Sequence, residues 1–217
     1  MSSREYHLRE LAIAQSPDDP RHVMPTIRPW HRRILDVGGG AGQTLIASRN
    51  QIAADALQVS LDLDLEALRL GQELTSAVCF VAGSAEALPF ADASFDLVIS
   101  RVTLPLTYLP AAVAEIGRVT AVGGEVWLVL HSLRRTLRLL AENLRQRQLK
   151  HALYRCYVLA NGALLHLTGR LLPFPSDGHY ESFQTTASIR RELERAGFAD
   201  LVVIQGRHFV ASARKRP

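Results

Sequence analysis

The sequence predicts an α/β fold in which a mostly parallel seven-stranded sheet, with one antiparallel strand, carries helices on both faces. Short apolar, β-branched runs alternate with helix-like segments from residue 33 onward, which is typical of successive βαβ units. The chain then closes with a predicted hairpin around Gln205, Gly206 and Arg207. A terminal hairpin in such a sheet requires one strand to run antiparallel to the others.

The individual elements follow in chain order. The strand-like runs before residue 131 cover residues 33–37, 56–61, 77–82, 95–100 and 125–130. The helices between them are predicted at 43–50, 65–74 and 110–119, and residues 83–94 are predicted to form a loop. After the fifth strand and an insertion, a helix at 188–196 ends at Gly197 and leads into hairpin strands at 200–204 and 208–213.

The alternation is interrupted after His131. Residues 132–182 carry no strand signal but are helix-like, with leucines at positions 133, 137, 140 and 144 on a helical period. We interpret this stretch as an inserted helical lid. The predicted organisation is therefore an N-terminal helical segment (1–32), a core (33–131 and 183–217) and the lid (132–182).

Composition limits the classes of protein that this chain can be. It has 217 residues, 47% hydrophobic and 21% charged, which fits a globular domain and excludes a disordered or fibrous chain. The net charge of +4 is too small to indicate nucleic-acid binding. Cys79 and Cys156 are expected to be buried free thiols, and their spacing predicts no metal site. The N-terminus has no secretory pattern and no apolar run reaches about 20 residues, so a cytoplasmic location is expected.

A glycine-rich turn follows the first predicted strand, in the segment ILDVGGGAGQT (34–44). Glycines let the backbone turn tightly and approach a ligand closely, and the helix that follows adds free N–H groups. Gln43 breaks the dinucleotide frame, GxGxxG, whereas Asp36, Gly38, Gly40 and Gly42 form a DxGxGxG pattern. We expect Gly39 to be the least demanding of these glycines, so that Gly39→Ala is tolerated where Gly40→Ala is not.

Together with this loop, four further segments resemble the motifs of the class I S-adenosylmethionine-dependent methyltransferases, in the same order along the chain. They are VSLDLDLEAL (59–68), VAGSAEALPFADASFDLVIS (81–100), EIGRVTAVGGEVWLVL (115–130) and ELERAGFADLVVIQGRHFVASAR (192–214). No NPPY-like tetrapeptide follows the fourth strand, which favours the small-molecule branch, such as the quinone-biosynthesis enzymes. The resemblance implies a Rossmann-like fold, S-adenosylmethionine as methyl donor and S-adenosylhomocysteine as product.

The resemblance also implies roles for individual residues. Asp36 would lie under the amino acid end of the cofactor, and Asp62, at the end of the second strand, would accept hydrogen bonds from the ribose hydroxyls. The alternative role for Asp62 is a helix N-cap, but Asp64 is better placed for it. Arg101 would contact the methionyl part or the acceptor. The complete predicted cofactor set is Asp36, Gly38, Gly40, Gly42, Asp62, Leu63, Ser84, Ala85, Glu86 and Arg101.

Adenine recognition is the part of this set that departs from the family. Leu63 is expected to pack on the adenine face, and the turn Gly83-Ser84-Ala85-Glu86 has serine where many relatives have aspartate. A neutral hydrogen bond from the adenine amino group is weaker than a charge-assisted one. We therefore predict weaker adenine recognition, which relies on the backbone N–H of Ala85.

The reaction implied is an in-line displacement that needs alignment more than a catalytic side chain. Where the acceptor must lose a proton, His131 is the first candidate for the base, because it ends the fifth strand at the ligand-binding edge. His179 and Tyr180 are the second pair of candidates. A structural histidine is the alternative for His131. The acceptor, the atom methylated and the oligomeric state are left open.

The insertion and the N-terminal segment leave alternatives. Residues 134–155 carry seven cations and a single anion, Glu142, which favours a solvated outer lid face and leaves contact with an anionic membrane as the alternative. Nucleic acid is not expected, since no aromatic residues interleave with these cations. A helix at 5–14 is expected across the cofactor mouth, with Tyr6, His7 and Arg21 near the ligand. A non-catalytic cofactor-binding regulator or partner subunit is the second candidate function, and an RNA- or lipid-associated methyltransferase is the third.

Overall fold

A computed structural model describes residues 2–217 of the chain, and its centre is a single seven-stranded sheet. The strands are β1 Arg33–Val37, β2 Leu57–Asp62, β3 Cys79–Ala82, β4 Phe95–Arg101, β5 Thr120–Leu130, β6 Phe198–Gln205 and β7 Phe209–Lys215. They lie in the order β3-β2-β1-β4-β5-β7-β6, and β7 runs antiparallel to both of its neighbours. The predicted fold class is confirmed.

Within residues 2–217, seven α-helices cover the sheet and extend beyond it. They are α1 Ser3–Ala14, α2 Gln43–Ala47, α3 Leu65–Leu74, α4 Leu109–Val119, α5 Leu133–Arg145, α6 Leu149–Thr168 and α7 Thr186–Arg195. Short 3₁₀ turns at Arg49–Gln51 and Leu104–Leu106 follow α2 and β4. No helix within residues 2–217 is both long enough and apolar enough to cross a lipid bilayer.

The central strands are buried on both faces, because successive side chains of a strand point to opposite sides of the sheet. Leu35 and Val37 belong to the larger apolar cluster, which includes residues of α4 and α7, whereas Ile34, on the opposite face of β1, belongs to a second cluster with Leu45 of α2. All of these side chains are fully enclosed. Helices on both faces therefore hold β1 rigidly, and its carboxyl end presents Asp36 and the glycine loop.

Two expectations about the elements are corrected. Strand β5 begins at Thr120, five residues earlier than predicted, and Thr120 pairs with Phe95 ahead of an irregular step in the register. Gly123, at φ +77°, and Gly124 weakened the strand signal there. Helix α2 is correspondingly shorter than predicted, since the 3₁₀ turn replaces its last residues.

The expected burial of the two thiols is also wrong, since Cys79 and Cys156 are both exposed. Cys79 lies on β3, the edge strand of the sheet, where one flank has no covering strand. Cys156 lies on the outward side of α6. Flanking apolar residues were a poor guide because neither element is buried on all sides.

The insertion forms two helices, α5 and α6, that pack against each other. The chain leaves the sheet at Ser132 and returns at Gln184, and these two residues form a parallel bridge. The Gln184 backbone N–H donates to the His131 carbonyl at 2.7 Å, and its side chain accepts from the His131 N–H at 3.1 Å. The base of the insertion is thus fastened directly beside the end of β5.

Candidate active site

A cavity of about 1050 Å³ opens at the carboxyl ends of β1, β4 and β5. The strand order reverses at β1, because β2 lies on one side of it and β4 lies on the other. Open α/β sheets bind ligands at such a reversal, outside the carboxyl ends of the strands. The glycine loop and Asp62 form one end of its wall, and His131 and the start of α5 form the other. Helix α1 contributes Tyr6 and His7.

Three glycines of the loop adopt backbone conformations that other residues rarely take. Gly38, Gly40 and Gly42 have φ values of +71°, +54° and +75°. A Cβ at Gly38 would lie 2.0 Å from the Thr103 hydroxyl oxygen, which donates to the Gly38 carbonyl at 3.2 Å. Gly38 and Gly40 lie on the cavity wall, whereas Gly42 starts α2 behind it.

Gly39 is not the tolerant position expected from the sequence. Its φ is ordinary, but a Cβ there would lie 2.5 Å from the Ser60 hydroxyl oxygen and 2.9 Å from the carboxyl carbon of Asp36. A side chain at Gly39 would therefore collide with the buried Asp36 carboxylate beneath it, and the spacing of the motif does not reveal this contact.

Asp36 lies at the end of β1 beneath this loop, fully buried, and neither of its carboxylate oxygens has a hydrogen-bond partner among residues 2–217. Burial raises the pKa of Asp36 to about 6, although the Arg101 guanidinium and the Thr44 hydroxyl act in the opposite direction. An unpaired buried carboxylate is unfavourable unless a cation or donor reaches it. This site therefore favours a ligand with a positively charged group.

Asp62 joins the glycine loop to the start of α3. Its Oδ2 accepts from the Gly40 N–H at 2.8 Å and its Oδ1 accepts from the Asp64 N–H at 2.9 Å. Asp64 is the N-cap of α3, with its side chain accepting from the N–H groups of Glu66 and Ala67, so Asp62 does not cap the helix. Each carboxylate oxygen keeps capacity for a further donor, and Asp62 lies on the cavity wall.

Helix α1 crosses one side of the cavity, as the N-terminal segment was expected to do. The His7 Nδ1 lies 2.7 Å from the Gln43 Nε2, and the Ser3 hydroxyl donates to Asp64 at 2.6 Å. Glu10 pairs with Arg101 at 3.7 Å inside the cavity. Tyr6, His7 and Arg21 all lie on the wall.

Besides Asp36 beneath the glycine loop and Gly42 at the start of α2, four predicted cofactor residues lie outside the cavity wall. Leu63 is 73% exposed, Ala85 is packed into the main apolar cluster, and the Ser84 hydroxyl accepts from the Glu86 N–H at 3.2 Å. The Glu86 carboxylate accepts from the Tyr108 N–H at 2.8 Å. The structure thus shows local roles for Ser84 and Glu86, and contact of these residues with adenine stays a prediction.

His131 lies on the cavity wall, 5% exposed, and neither ring nitrogen has a hydrogen-bond partner within residues 2–217. The nearest carboxylate oxygen belongs to Glu181, 3.7 Å from Nδ1. Burial, together with the charges of Arg135 and Arg155, lowers the pKa of His131 to about 4, while Glu181 acts in the opposite direction. The imidazole is therefore neutral near pH 7, with a free lone pair that can accept a proton.

His179 and Tyr180 do not lie on the cavity wall, contrary to their expected position at the acceptor. The His179 Nε2 is 3.0 Å from the Tyr154 hydroxyl, and its Nδ1 contacts Asp177. The Tyr180 ring packs on Tyr108 at 5.3 Å between centroids. His179 is therefore held within the insertion, whereas Tyr180 packs the end of the insertion against the core beside α4.

Sequence reasoning missed Arg135 and Glu181. Arg135 is on the cavity wall in the first turn of α5, and its only signal was membership of the basic run. Glu181 is buried and accepts hydrogen bonds from Tyr154 at 2.6 Å and Arg155 at 2.8 Å. No local motif marks it.

Residues 35–128 match the family model described as "Methyltransferase domain". The chain is 41% identical over 96 residues to a malonyl-[acyl-carrier protein] O-methyltransferase of Erwinia billingiae, a match covering 44% of this chain and 37% of the relative. It is also 41% identical over 97 residues to a demethylmenaquinone methyltransferase of Roseiflexus castenholzii, covering 43% of this chain and 40% of the relative. The chain therefore spans about two fifths of the length of these curated relatives.

The fold extends over a larger part of the chain than these alignments. A solved S-adenosylmethionine-dependent methyltransferase from Thermotoga maritima superposes with a TM-score of 0.57 at 14% identity, covering 99% of this chain and 91% of that one. At this identity the likeness concerns the fold alone. The segment that matches the family model, residues 35–128, includes the glycine loop and ends within β5, whereas His131 and the insertion at the other end of the cavity lie outside it.

Proposed function

We propose that this chain, which carries a class I S-adenosylmethionine-dependent methyltransferase domain, transfers a methyl group from S-adenosylmethionine to a small-molecule acceptor bound beside His131. The observation that carries the proposal is the unpaired, buried carboxylate of Asp36 beneath a glycine loop, at one end of a cavity whose other end presents an unpaired imidazole. One cavity thus provides both a place for a cationic cofactor and a place for an acceptor.

The residues present fit the cofactor. Asp36 offers a buried negative charge for the methionyl ammonium, and Arg101 lies at the same cavity end, where the methionyl carboxylate belongs. Asp62 keeps acceptor capacity for ribose hydroxyls. Gly38 and Gly40 leave no Cβ in the way of a close approach. These five positions are the ones that we propose hold S-adenosylmethionine.

When bound, S-adenosylmethionine supplies an electrophilic methyl group on a sulfonium. The chain's own contribution is to hold the two reactants in line, and orientation of this kind is worth on the order of 7 kcal/mol or more of the barrier. Helix α1 and the base of the insertion form two sides of the cavity. His131, neutral and unpaired, accepts the acceptor's proton where the acceptor has one to lose.

Two measurements test this function. S-adenosylhomocysteine should bind the purified protein in calorimetry, and methyl-labelled S-adenosylmethionine should yield labelled products from fractionated metabolite extracts. His131→Ala should retain S-adenosylhomocysteine binding and lose about 10²–10⁴-fold in turnover. Binding without turnover on any fraction would favour the non-catalytic regulator instead, and full turnover of His131→Ala would remove His131 as the base.

The insertion supports a proposal about partners as well. Leu149, Leu153 and Leu167 of α6 are 71%, 73% and 77% exposed, and Leu133, Leu137 and Leu144 of α5 are also exposed. At 100° per residue, the leucines of each helix fall on one side of it. Exposed cations accompany this stripe, namely Arg134, Arg145, Arg147 and Lys150. Apolar side chains bordered by positive charge match the interfacial region of an anionic membrane, so we infer peripheral contact with such a surface.

Vesicle flotation tests the membrane contact. The protein should float with vesicles containing phosphatidylglycerol and remain behind with pure phosphatidylcholine at moderate salt. Leu149→Gln combined with Leu153→Gln should reduce flotation several-fold, while the matched control Leu74→Gln, on α3, should not. Failure to bind the anionic vesicles, or a stable dimer in sedimentation that is lost in the double variant, would overturn this contact in favour of a solvated lid or a second copy of the chain.

A further inference from the structure

The cavity wall carries a surplus of positive charge. Its arginines are Arg21, Arg101, Arg135, Arg138 and Arg207, and its acids are Glu10, Asp62 and Asp64. All three acids lie at the cofactor end, on α1 or around the end of β2. The end formed by β5 and α5 therefore presents cations and His131 with no carboxylate on the wall, within the residues that the structure describes.

Most of these arginines are already engaged. Arg21 pairs with Asp19 at 3.3 Å, Arg101 pairs with Glu10 at 3.7 Å, and Arg207 donates to the Pro20 carbonyl at 3.4 Å. Arg135 differs, because its Nη1 is enclosed and has no hydrogen-bond partner among residues 2–217.

The acid that acts on Arg135 from nearby is Glu181, and its carboxylate oxygens already accept from Tyr154 and Arg155. Burial lowers the pKa of the Arg135 guanidinium, which shows how far this group is withdrawn from water. An enclosed guanidinium nitrogen with no acceptor is unfavourable unless a ligand supplies one. The unpaired His131 on the same wall marks the same end of the cavity as a place for a ligand.

We propose that Arg135 anchors a carboxylate of the methyl acceptor and so places the acceptor's reacting group beside His131. The inference rests on the proposed function and adds the chemical class of the acceptor. A carboxylate is favoured because the planar guanidinium can donate two parallel hydrogen bonds to it. Arg138, one turn further along α5 and also on the wall, adds positive charge to the same subsite.

A bound carboxylate also changes His131. Arg135 contributes to holding the pKa of His131 low, second only to burial. A carboxylate paired with Arg135 removes much of that influence, so the basicity of His131 rises when the acceptor is in place. Pairing of the acceptor carboxylate with Arg135 would thus raise the pKa of His131 only in the complex with the acceptor.

The test compares carboxylates with their neutral amides on protein saturated with S-adenosylhomocysteine. The probes are benzoate and benzamide, and octanoate and octanamide, measured by NMR titration. We expect each carboxylate to bind at least tenfold more tightly than its amide. Arg135→Gln should abolish this preference, while Arg69→Gln, which removes an exposed arginine of α3 outside the cavity wall, should keep it. Equal binding of acid and amide, no binding of either, or an unchanged preference in Arg135→Gln would overturn the proposal.

S-adenosylhomocysteine binding, measured on the same samples, separates the two levels of inference. Loss of that binding in the wild-type protein would contradict the proposed function itself. Retained binding together with no acid preference would contradict only the anchor. As a second readout, labelled products from metabolite extracts should be retained on an anion-exchange column, and neutral products formed equally by wild type and Arg135→Gln would also refute the anchor.

Discussion

Replacing Asp36 with asparagine should stabilise the cofactor-free protein and weaken cofactor binding at the same time. Asp36 is fully buried without a partner, and burial raises its pKa from 3.8 to about 6. At about 1.4 kcal/mol per pKa unit, the ionised carboxylate destabilises the folded state by roughly 3 kcal/mol above pH 7. An unpaired asparagine amide and an unpaired protonated carboxyl in the same place each cost about 1–3 kcal/mol, so these two costs largely cancel. The expected gain above pH 7 is therefore roughly 3 kcal/mol, or several degrees in Tm.

The sign of the pH dependence follows from the direction of the shift. Because the folded-state pKa of Asp36 is the higher one, the folded state binds more protons than the unfolded state between about pH 4 and pH 6. Stability from this group is fully present below pH 4 and is lost as the pH rises through 6. The wild type and Asp36→Asn should thus have similar stability at pH 4 and differ above pH 6, which urea unfolding over that range can measure.

Cofactor binding should respond in the opposite direction. A hydrogen bond to a charged group contributes about 1.5–3 kcal/mol, so Asp36→Asn should bind S-adenosylhomocysteine roughly 10- to 150-fold more weakly at pH 7.5. Wild-type affinity should fall below pH 6 as Asp36 takes up a proton, and the variant should lack that dependence. Asp92→Asn, an exposed surface change, serves as the control. Unchanged affinity in Asp36→Asn, or lower stability without cofactor, would refute the reasoning.

Three further changes probe other parts of the molecule. Ser84→Asp should raise S-adenosylhomocysteine affinity in calorimetry if adenine recognition here lacks a charged acceptor, and unchanged or lower affinity would contradict that. Gly39→Ala should weaken cofactor binding to a degree similar to Gly40→Ala, because its Cβ would press on Asp36, and tolerance at Gly39 alone would show that the loop yields. Gly162→Ala should lower the free energy of unfolding by about 1–3 kcal/mol, since its Cβ would lie 2.2 Å from the buried Phe183 ring, and a stabilised variant in urea unfolding would contradict this packing.

The cofactor end of the cavity was open to prediction because it is local in sequence. Strand β1, the glycine turn and the start of α2 lie within eleven residues of the sequence. Asp62, which accepts a hydrogen bond from the Gly40 N–H of this turn, is the last residue of the neighbouring strand β2. Each of these features leaves its own signal in residue type and spacing. Spacing does not show which side chains lie beneath the loop, so the motif predicts a permissive Gly39 although this residue lies directly above Asp36.

The acceptor end was not open to prediction in the same way, because it depends on how a 51-residue insertion returns to the sheet. Glu181 reaches His131 only because Gln184 is hydrogen-bonded to the end of β5, 53 residues away along the chain. The nearby candidates, His179 and Tyr180, differ from Glu181 by one or two positions, but the His179 ring lies beside Tyr154 and the Tyr180 ring packs on Tyr108 of the core. A displacement of one residue in an irregular segment decides which side chain reaches His131, and no periodic signal fixes it.

Helix α5 is oriented opposite to an ordinary amphipathic helix, with its leucines turned outward. An amphipathic helix ordinarily turns its apolar stripe toward the core, yet here Thr136 is buried while Leu133, Leu137 and Leu144 are exposed. That orientation places Arg135 and Arg138 on the cavity wall. The same rotation of one helix therefore accounts for both outward apolar side chains and inward cations. If the leucine stripe meets a membrane, docking would fix α5 in this orientation and hold Arg135 in the acceptor subsite, so that the two proposals about this insertion share one structural cause.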